Sequence, residues 1–264
     1  MAERPGRKAT TVRLKMVTKK KERLDVALVR RGLVASRERA QALIMAGRVY
    51  VGERRLEKPG AQVPDDADIR LDLAAPELRY VSRGGLKLEK ALDVFALDPR
   101  GLVALDVGAS TGGFTDCLLQ RGAARVYAVD VGHAQLAWKL RSDARVVVME
   151  GVNIRYLETL PERPQCATID VSFISLRLVL PPVARLLASG AWVVALVKPQ
   201  FEAGKEEADR GEGIIRDPRV HERVLRELSA WIPEYTPLQL RGLVESPIAG
   251  REGNKEFLMY LVLP

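Results

Sequence analysis

Apolar residues recur at helical spacing twice near the start of the chain. In ERLDVALVRRGL, Leu24, Ala27, Leu28 and Arg31 share one face, and Gly32 is placed to close the helix. In SRERAQALIMAG, Ser36 can cap a second helix whose inner stripe is Ala40, Leu43 and Ile44, with Gly47 as its stop. The period then changes. RVYVGERRL and DIRLDL alternate as short strands do, on either side of a turn-rich segment holding Pro59, Gly60 and Pro64. Helical spacing returns in SRGGLKLEKALDVFAL through Leu88, Ala91, Leu92 and Phe95. Beyond it, aliphatic runs of strand length end in polar residues: LDVGASTGG at Asp106, RVYAVDVG at Asp130, QCATIDVSFIS at Asp170 and AWVVALVKPQFE at Lys198. A further stretch, VVVMEGVNIR, places Asn153 past the end of its aliphatic run, and the last, EFLMYLVLP, begins at Glu256. The alternation predicts an α/β protein, with a Rossmann-like domain behind a small N-terminal α+β module.

Four segments follow from these patterns. Residues 1–21 are basic, lack periodicity and read as a disordered arm, with Met16 as a second candidate start. Residues 22–72 form the small module, 73–81 (LAAPELRYV) a linker broken by proline, and 82–264 the large domain. The 264 residues, 47% of them hydrophobic, suffice for both cores. No apolar run reaches membrane-spanning length and no hydrophobic leader follows the basic start, so a cytoplasmic protein that neither crosses nor binds a membrane is expected. Two cysteines, Cys117 and Cys166, and two histidines, His133 and His221, lack metal-ligand spacing, and no metal is expected. Charge is divided unevenly. Residues 1–80 hold 19 Lys and Arg against 11 Asp and Glu, whereas 81–264 hold 23 of each. A basic module on a neutral body points to a polyanionic partner.

The glycine turn after Asp106 narrows the ligand. It lacks the Gly-Lys-Ser/Thr ending of a phosphate loop and the full G-x-G-x-x-G of a dinucleotide fold. Asp106 would oppose a pyrophosphate but suits an ammonium or sulfonium, and the turn Gly108, Ser110, Thr111, Gly112, Gly113 and Phe114 offers backbone N–H groups to a carboxylate. Asp130, about twenty residues on, is placed for two ribose hydroxyls, a feature NAD would share. With Asn153 near an adenine, the combination favours S-adenosylmethionine.

In a parallel sheet the strands' carboxyl ends share one edge, so Asp170, which also counts among the cofactor residues, and Lys198 should face one crevice. Glu256 joins them if its strand runs antiparallel, and Lys87 lies in the first turn of the preceding helix. Singly, each has a plainer role as a cap or solvated terminus. Together they suggest deprotonation of a hydroxyl: Lys198 as base, Lys87 raising the cost of its charge, Asp170 and Glu256 orienting the amines.

Two resemblances carry this further. Residues 22–72 resemble the RNA-binding domain of small-subunit ribosomal protein four, through the RLD, SR and GRVYV elements. That likeness implies phosphate contacts by Lys21, Arg23, Arg37, Arg48 and Lys58. Lys87, Asp170, Lys198 and Glu256 match the catalytic tetrad of FtsJ-type ribose 2′-O-methyltransferases, and SRGGLKL, LDVGASTGGFTDCLL, DVSFISL, VKPQFE and SPIAGREGNKEF resemble the TlyA family. The resemblance implies a cytidine 2′-hydroxyl of ribosomal RNA, within ribosomal subunits, as acceptor. The chain ends soon after its last strand, as in the shorter members, which points to the large subunit with the small as a second candidate. The family's other name, haemolysin, implies a membrane-lytic alternative, and a non-catalytic RNA-binding protein is a third. The charged stretch QFEAGKEEADRGEGIIRDP reads either as a mobile loop over the crevice or as a solvated insertion.

Overall fold

The computed structural model describes residues 21–34, 36–45, 47–72, 79–204, 207, 211, 213–250 and 253–264. The chain divides into two compact units between Ala75 and Pro76. Nearly all of the expected basic arm, most of the expected linker and much of the charged stretch after Lys198 lie outside the described residues.

The first unit runs β1 (Lys21–Arg23), α1 (Leu24–Arg30), α2 (Arg37–Met45), β2 (Val49–Val51), β3 (Arg54–Leu56), β4 (Gln62–Pro64) and β5 (Ile69–Leu71). Both helices end as their glycines dictate. Gly32 and Gly47 take φ of 68° and 70°, and the following N–H groups, of Leu33 and Arg48, turn back to the Leu28 and Leu43 carbonyls. Ser36 Oγ accepts the Arg39 N–H at 3.2 Å and caps α2. The helices bury Leu24, Ala27, Leu28, Ala40, Leu43 and Ile44, the predicted stripes except for Arg31, which lies one residue past α1, half-buried, and donates to the Asp65 and Ala67 carbonyls. Strands β3, β2 and β5 form an antiparallel sheet in that order, while β1 pairs with β4. Neither β1 nor β4 was predicted: three residues show no alternation, and β4 ends at Pro64 inside the turn-rich segment.

The second unit opens earlier than the linker reading allowed. Tyr80 is buried against Gly85, where a Cβ would lie 2.2 Å from the tyrosine ring, and the Val81 N–H donates to Asp116 Oδ2 at 2.8 Å. After α3 (Gly84–Val94) come β6 (Val103–Val107), α4 (Gly113–Gln120), β7 (Arg125–Asp130), α5 (Trp138–Arg141), β8 (Val146–Glu150), β9 (Cys166–Ile169), α6 (Leu180–Leu186), β10 (Trp192–Val197), α7 (Pro199–Glu202), α8 (Pro218–Tyr235), β11 (Gln239–Glu245) and β12 (Phe257–Val262). The strands form one sheet in the order β8-β7-β6-β9-β10-β12-β11, parallel from β8 to β10 and antiparallel at β12 and β11.

Alternation along the strands fills both faces. Leu105, Val107, Ile169 and Val193 share a core with Val183, Val224 and Leu228. Ala104, Ala128, Val194 and Leu258 share the other with Leu88, Leu92, Phe114 and Leu118. Strand order reverses at β6, which puts the ligand crevice of such a sheet beyond the carboxyl ends of β6 and β9. Gly108 is required there: its φ is 80°, and a Cβ would lie 2.4 Å from the Asp170 carbonyl oxygen.

Candidate active site

Two lysine–carboxylate pairs stand at the carboxyl edge of the sheet. Val197, the last residue of β10, is the antiparallel register partner of Phe257, the first of β12. Lys198 and Glu256, one position beyond each, therefore leave the sheet on the same edge. Asp170 does so one residue after β9, and Lys87 reaches the edge from the first turn of α3. Lys198 Nζ lies 2.7 Å from Asp170 Oδ1 and donates to Ser172 Oγ at 2.9 Å. Lys87 Nζ lies 2.5 Å from Glu256 Oε2. All four residues line one crevice of about 1310 Å³, together with Arg155, Phe173, Gln200, Phe201 and Asn254. The expected pressure of Lys87 on Lys198 is revised by this pairing. Glu256, only 3% exposed, compensates Lys87, so each ammonium has its own carboxylate.

The residues expected to hold a cofactor separate into two sets. Asp130, half-buried at the end of β7, accepts the Ser110 N–H on Oδ2 at 2.8 Å and the Gly132 N–H on Oδ1 at 2.7 Å. Each oxygen retains a lone pair for a hydroxyl. Ser110 is exposed and Thr111 half-buried on the turn, and Asn153 caps the next helical turn by accepting the Arg155 N–H at 3.1 Å. The others work inside the protein. Asp106 is wholly buried, and its oxygens accept Thr115 Oγ1 at 2.6 Å and Thr168 Oγ1 at 2.9 Å. Burial pushes its carboxyl up to about 6 against those hydrogen bonds. It ties β6 to α4 and β9, so the expectation that it faces a cationic ligand is corrected. Phe114 belongs to the core, and Gly112 and Gly113 serve close packing: Cβ atoms there would meet Leu140 at 2.2 Å and Ser82 Oγ at 2.3 Å. The N–H groups of Gly108, Ser110 and Gly112 go to Val129, Asp130 and Ala109, which removes them as receivers of a ligand carboxylate.

The expected RNA contacts also divide. Asp25, wholly buried at the start of α1, accepts from Arg23, Arg37 Nε at 2.9 Å and Gln41 Nε2 at 3.0 Å. The Arg23 guanidinium, above all, holds its carboxyl well below the usual range. Arg48 pairs with Asp72 at 3.1 Å. Arg23 and Arg37 are thus fold-holding as well as exposed, whereas Lys21 and Lys58 project from the surface.

Several residues were not singled out by sequence. Glu202, within VKPQFE, is buried and accepts Ser175 Oγ at 2.6 Å and the Leu176 N–H at 2.7 Å; burial raises its pKa. It clamps the segment after β9 to α7. Phe173 in that segment is 91% exposed, has φ of 62°, and lies 5.1 Å between ring centroids from Phe201. Asn254, 2% exposed, accepts the Ile215 N–H at 2.9 Å and donates to the Gly213 carbonyl at 2.8 Å, anchoring the end of the charged stretch beside Glu256. Glu150 accepts from Arg141, which holds its carboxyl down to about 2, and from the Gln135 and Leu136 N–H groups. The motifs containing Glu202 and Asn254 were visible; their internal bonding was not.

Both cysteines are buried, and burial pushes the Cys117 thiol up to about 12, as for an inert core residue. Among the described residues no group of three or more His, Cys, Asp or Glu could hold a metal, and no helix is long and apolar enough to cross a membrane.

Comparison with known proteins gives two domain matches: FtsJ-like methyltransferase over residues 80–263 and S4 domain over 22–69. A Bacillus subtilis protein named as an rRNA methyltransferase, YqxC, is 54% identical over 94% of this chain and 88% of its own. The 16S/23S rRNA (cytidine-2′-O)-methyltransferase TlyA of Mycobacterium tuberculosis is 43% identical over 92% of this chain and 90% of its own. A solved structure from Streptococcus thermophilus, described as a hemolysin, matches with TM-score 0.72 and 51% identity over 91% of this chain and 88% of its own.

Proposed function

The chain belongs to the TlyA family, with an S4 domain ahead of an FtsJ-like methyltransferase domain, and on that premise we propose that it methylates the 2′-hydroxyl of a cytidine in ribosomal RNA. The observation that carries the reading is the pair of lysine–carboxylate contacts facing one crevice, Lys198 with Asp170 and Lys87 with Glu256. A ribose hydroxyl is a very weak acid, and its conversion to a nucleophile needs a nearby proton acceptor held in one direction.

The residues at the strand ends fit S-adenosylmethionine as the methyl donor. Asp130 presents a carboxylate fixed by two backbone N–H groups yet able to accept ribose hydroxyls, and Gly108 lets the turn after β6 pack directly against the Asp170 backbone at the edge of the crevice. Bound there, S-adenosylmethionine supplies a methyl group activated by its sulfonium. Lys198, once the ammonium paired with Asp170 has released a proton, takes the proton of the 2′-hydroxyl; the oxygen's electron pair would form the new O–C bond as the S–CH3 bond breaks, its pair staying on sulfur, so that S-adenosylhomocysteine leaves as a neutral thioether. Asp170 and Ser172 aim the amine and stabilise the ammonium it becomes. Lys87, steadied by Glu256, places a second positive charge on the crevice wall, where it offsets charge growing on the oxygen. The exposed ring of Phe173 offers a face for the acceptor base. The first unit supplies affinity through its basic surface, and ribosomal RNA as substrate sets the cytoplasm as the place of action.

The test is transfer of labelled methyl from S-adenosylmethionine to isolated large and small ribosomal subunits and to protein-free RNA, followed by nuclease mapping. Label recovered as 2′-O-methylcytidine is expected, with the large subunit tried first. No label on any of them by a protein that binds the donor would overturn the reading.

A further inference from the structure

Among the described residues, two buried side-chain polar atoms bond to no group of the protein: Arg155 Nε and Gln200 Oε1. Both residues line the crevice that contains the two lysine pairs. Their atoms have opposite hydrogen-bonding character. Gln200 lies two residues after Lys198 and directly before Phe201, whose ring packs on exposed Phe173. Arg155 follows the Asn153 cap, with its guanidinium 5.1 Å from the centroid of Tyr156.

A buried donor or acceptor left unbonded is a standing cost, so any state that bonds both is favoured over the free one. The ring face of Phe173 and the acceptor lysine define where a nucleotide would lie if the proposed function holds, and the inference rests on that reading. Cytosine presents its exocyclic amine as a donor and the neighbouring ring nitrogen as an acceptor. Uracil reverses both positions. An acceptor on one residue and a donor on another match the first edge and oppose the second. We propose that Gln200 and Arg155 read the base of the acceptor nucleotide, Gln200 Oε1 accepting from the cytosine amine and Arg155 Nε donating to the ring nitrogen. Both atoms are covered in the free protein, so a small rotation of the Gln200 amide and of the Arg155 side chain accompanies entry of the base. A site built to hydrogen-bond a substrate rejects an analogue that leaves its groups unpaired more strongly than an apolar pocket can.

The experiment uses the full chain with ribosomal RNA or subunits carrying cytidine or uridine at the mapped nucleotide. It measures kcat/KM for each and the dissociation constant of S-adenosylmethionine. The unaltered protein is expected to favour cytidine by at least about tenfold, as one lost buried hydrogen bond requires. Gln200→Leu should bring the two substrates within a few fold of each other, chiefly by losing activity on cytidine, with donor binding unchanged. Gln200→Glu keeps an acceptor and should keep the preference, which separates base reading from a merely structural role. Arg155→Met should reduce the preference in the same direction. An unchanged cytidine-to-uridine ratio in both Gln200→Leu and Arg155→Met, or equal loss on both substrates, overturns the proposal. Methylation of neither RNA by the unaltered protein overturns the functional reading beneath it, and this inference with it.

Discussion

The first unit and the crevice of the second place acidic residues beside basic ones, with opposite results. Asp25 is wholly buried and gathers Arg23, Arg37 and Gln41, so two cations expected to meet a phosphate also hold α1, α2 and β1 in place. Asp170 and Glu256 lie just outside the strands, and each holds a lysine whose ammonium faces a crevice. Burial does not separate the cases, since Glu256 is 3% exposed and Asp25 0%. Position does. An acid within the body of an element closes a fold, whereas an acid at the last residue of a strand or just outside it, on the carboxyl edge of the sheet, faces the ligand crevice.

The largest expected effect breaks the crevice side of this contrast. Lys198→Ala should lower single-turnover methyl transfer by roughly a hundred to ten thousand fold, the range for a lost general base, with little change in S-adenosylmethionine affinity. Asp130→Ala should show the reverse order of loss, with donor affinity falling first in a binding titration. Equal loss of donor binding in both variants would contradict the separation of roles.

The next effect tests the first unit. Asp25→Asn leaves Arg23 and Arg37 without their shared carboxylate, and denaturant unfolding of the full chain should show about 2 kcal/mol lost. A buried pair would lose more, but both arginines are partly exposed. The sign with pH follows from a carboxyl whose folded pKa is depressed. Its stabilisation is complete above the unfolded value near 3.9 and is lost as pH falls through the folded one, so wild type and variant should converge in acid.

A smaller effect distinguishes surface cations from fold-holding ones. Lys58→Ala should weaken RNA binding a few fold, reduce the salt slope by about one and leave stability unchanged. Arg37→Ala should weaken RNA binding and lower the unfolding midpoint together, because its guanidinium bonds Asp25. If the two variants behave alike in both measurements, the division drawn between them fails.

Strand ends were legible because aliphatic runs stop at charged residues, and topology then decides which charges meet. That logic located Asp170, Lys198 and Glu256 before any geometry, and the antiparallel register of β10 with β12 supplied its condition. What sequence could not convey was depth. Asp106 ends an aliphatic run as Asp130 does, yet it lies within β6 and faces α4, while Asp130 ends β7. Gly113 looks like a ligand-approach glycine and is instead the contact that lets α4 meet the start of α3. Glu202 and Asn254 act through loop backbones that no periodicity marks. Strand β11, a solvent-edge strand with a register shift at Leu240 and Gly242, and helix α8 had no predicted counterparts. The charged stretch between α7 and α8 drew attention away from the regular spacing of Val224, Leu228 and Ile232.

The smallest expected effect bears on Asp106, where the two kinds of acid are easiest to confuse. Its folded pKa is raised to about 6 by burial, above an unfolded value near 4, so the folded state holds an extra proton between those limits. This group therefore makes stability fall as pH rises from about 4 to about 6, and contributes no slope above that. Asp106→Asn keeps the shape and can still bond Thr115 and Thr168 once their hydroxyls rotate, while removing the charge. The variant should bind S-adenosylmethionine within about threefold of wild type and lose that part of the pH slope in unfolding measurements. A drop in donor affinity of tenfold or more with stability intact would show that Asp106 meets the ligand's positive charge, and the division between fold-holding and ligand-facing acids would have to be redrawn at β6.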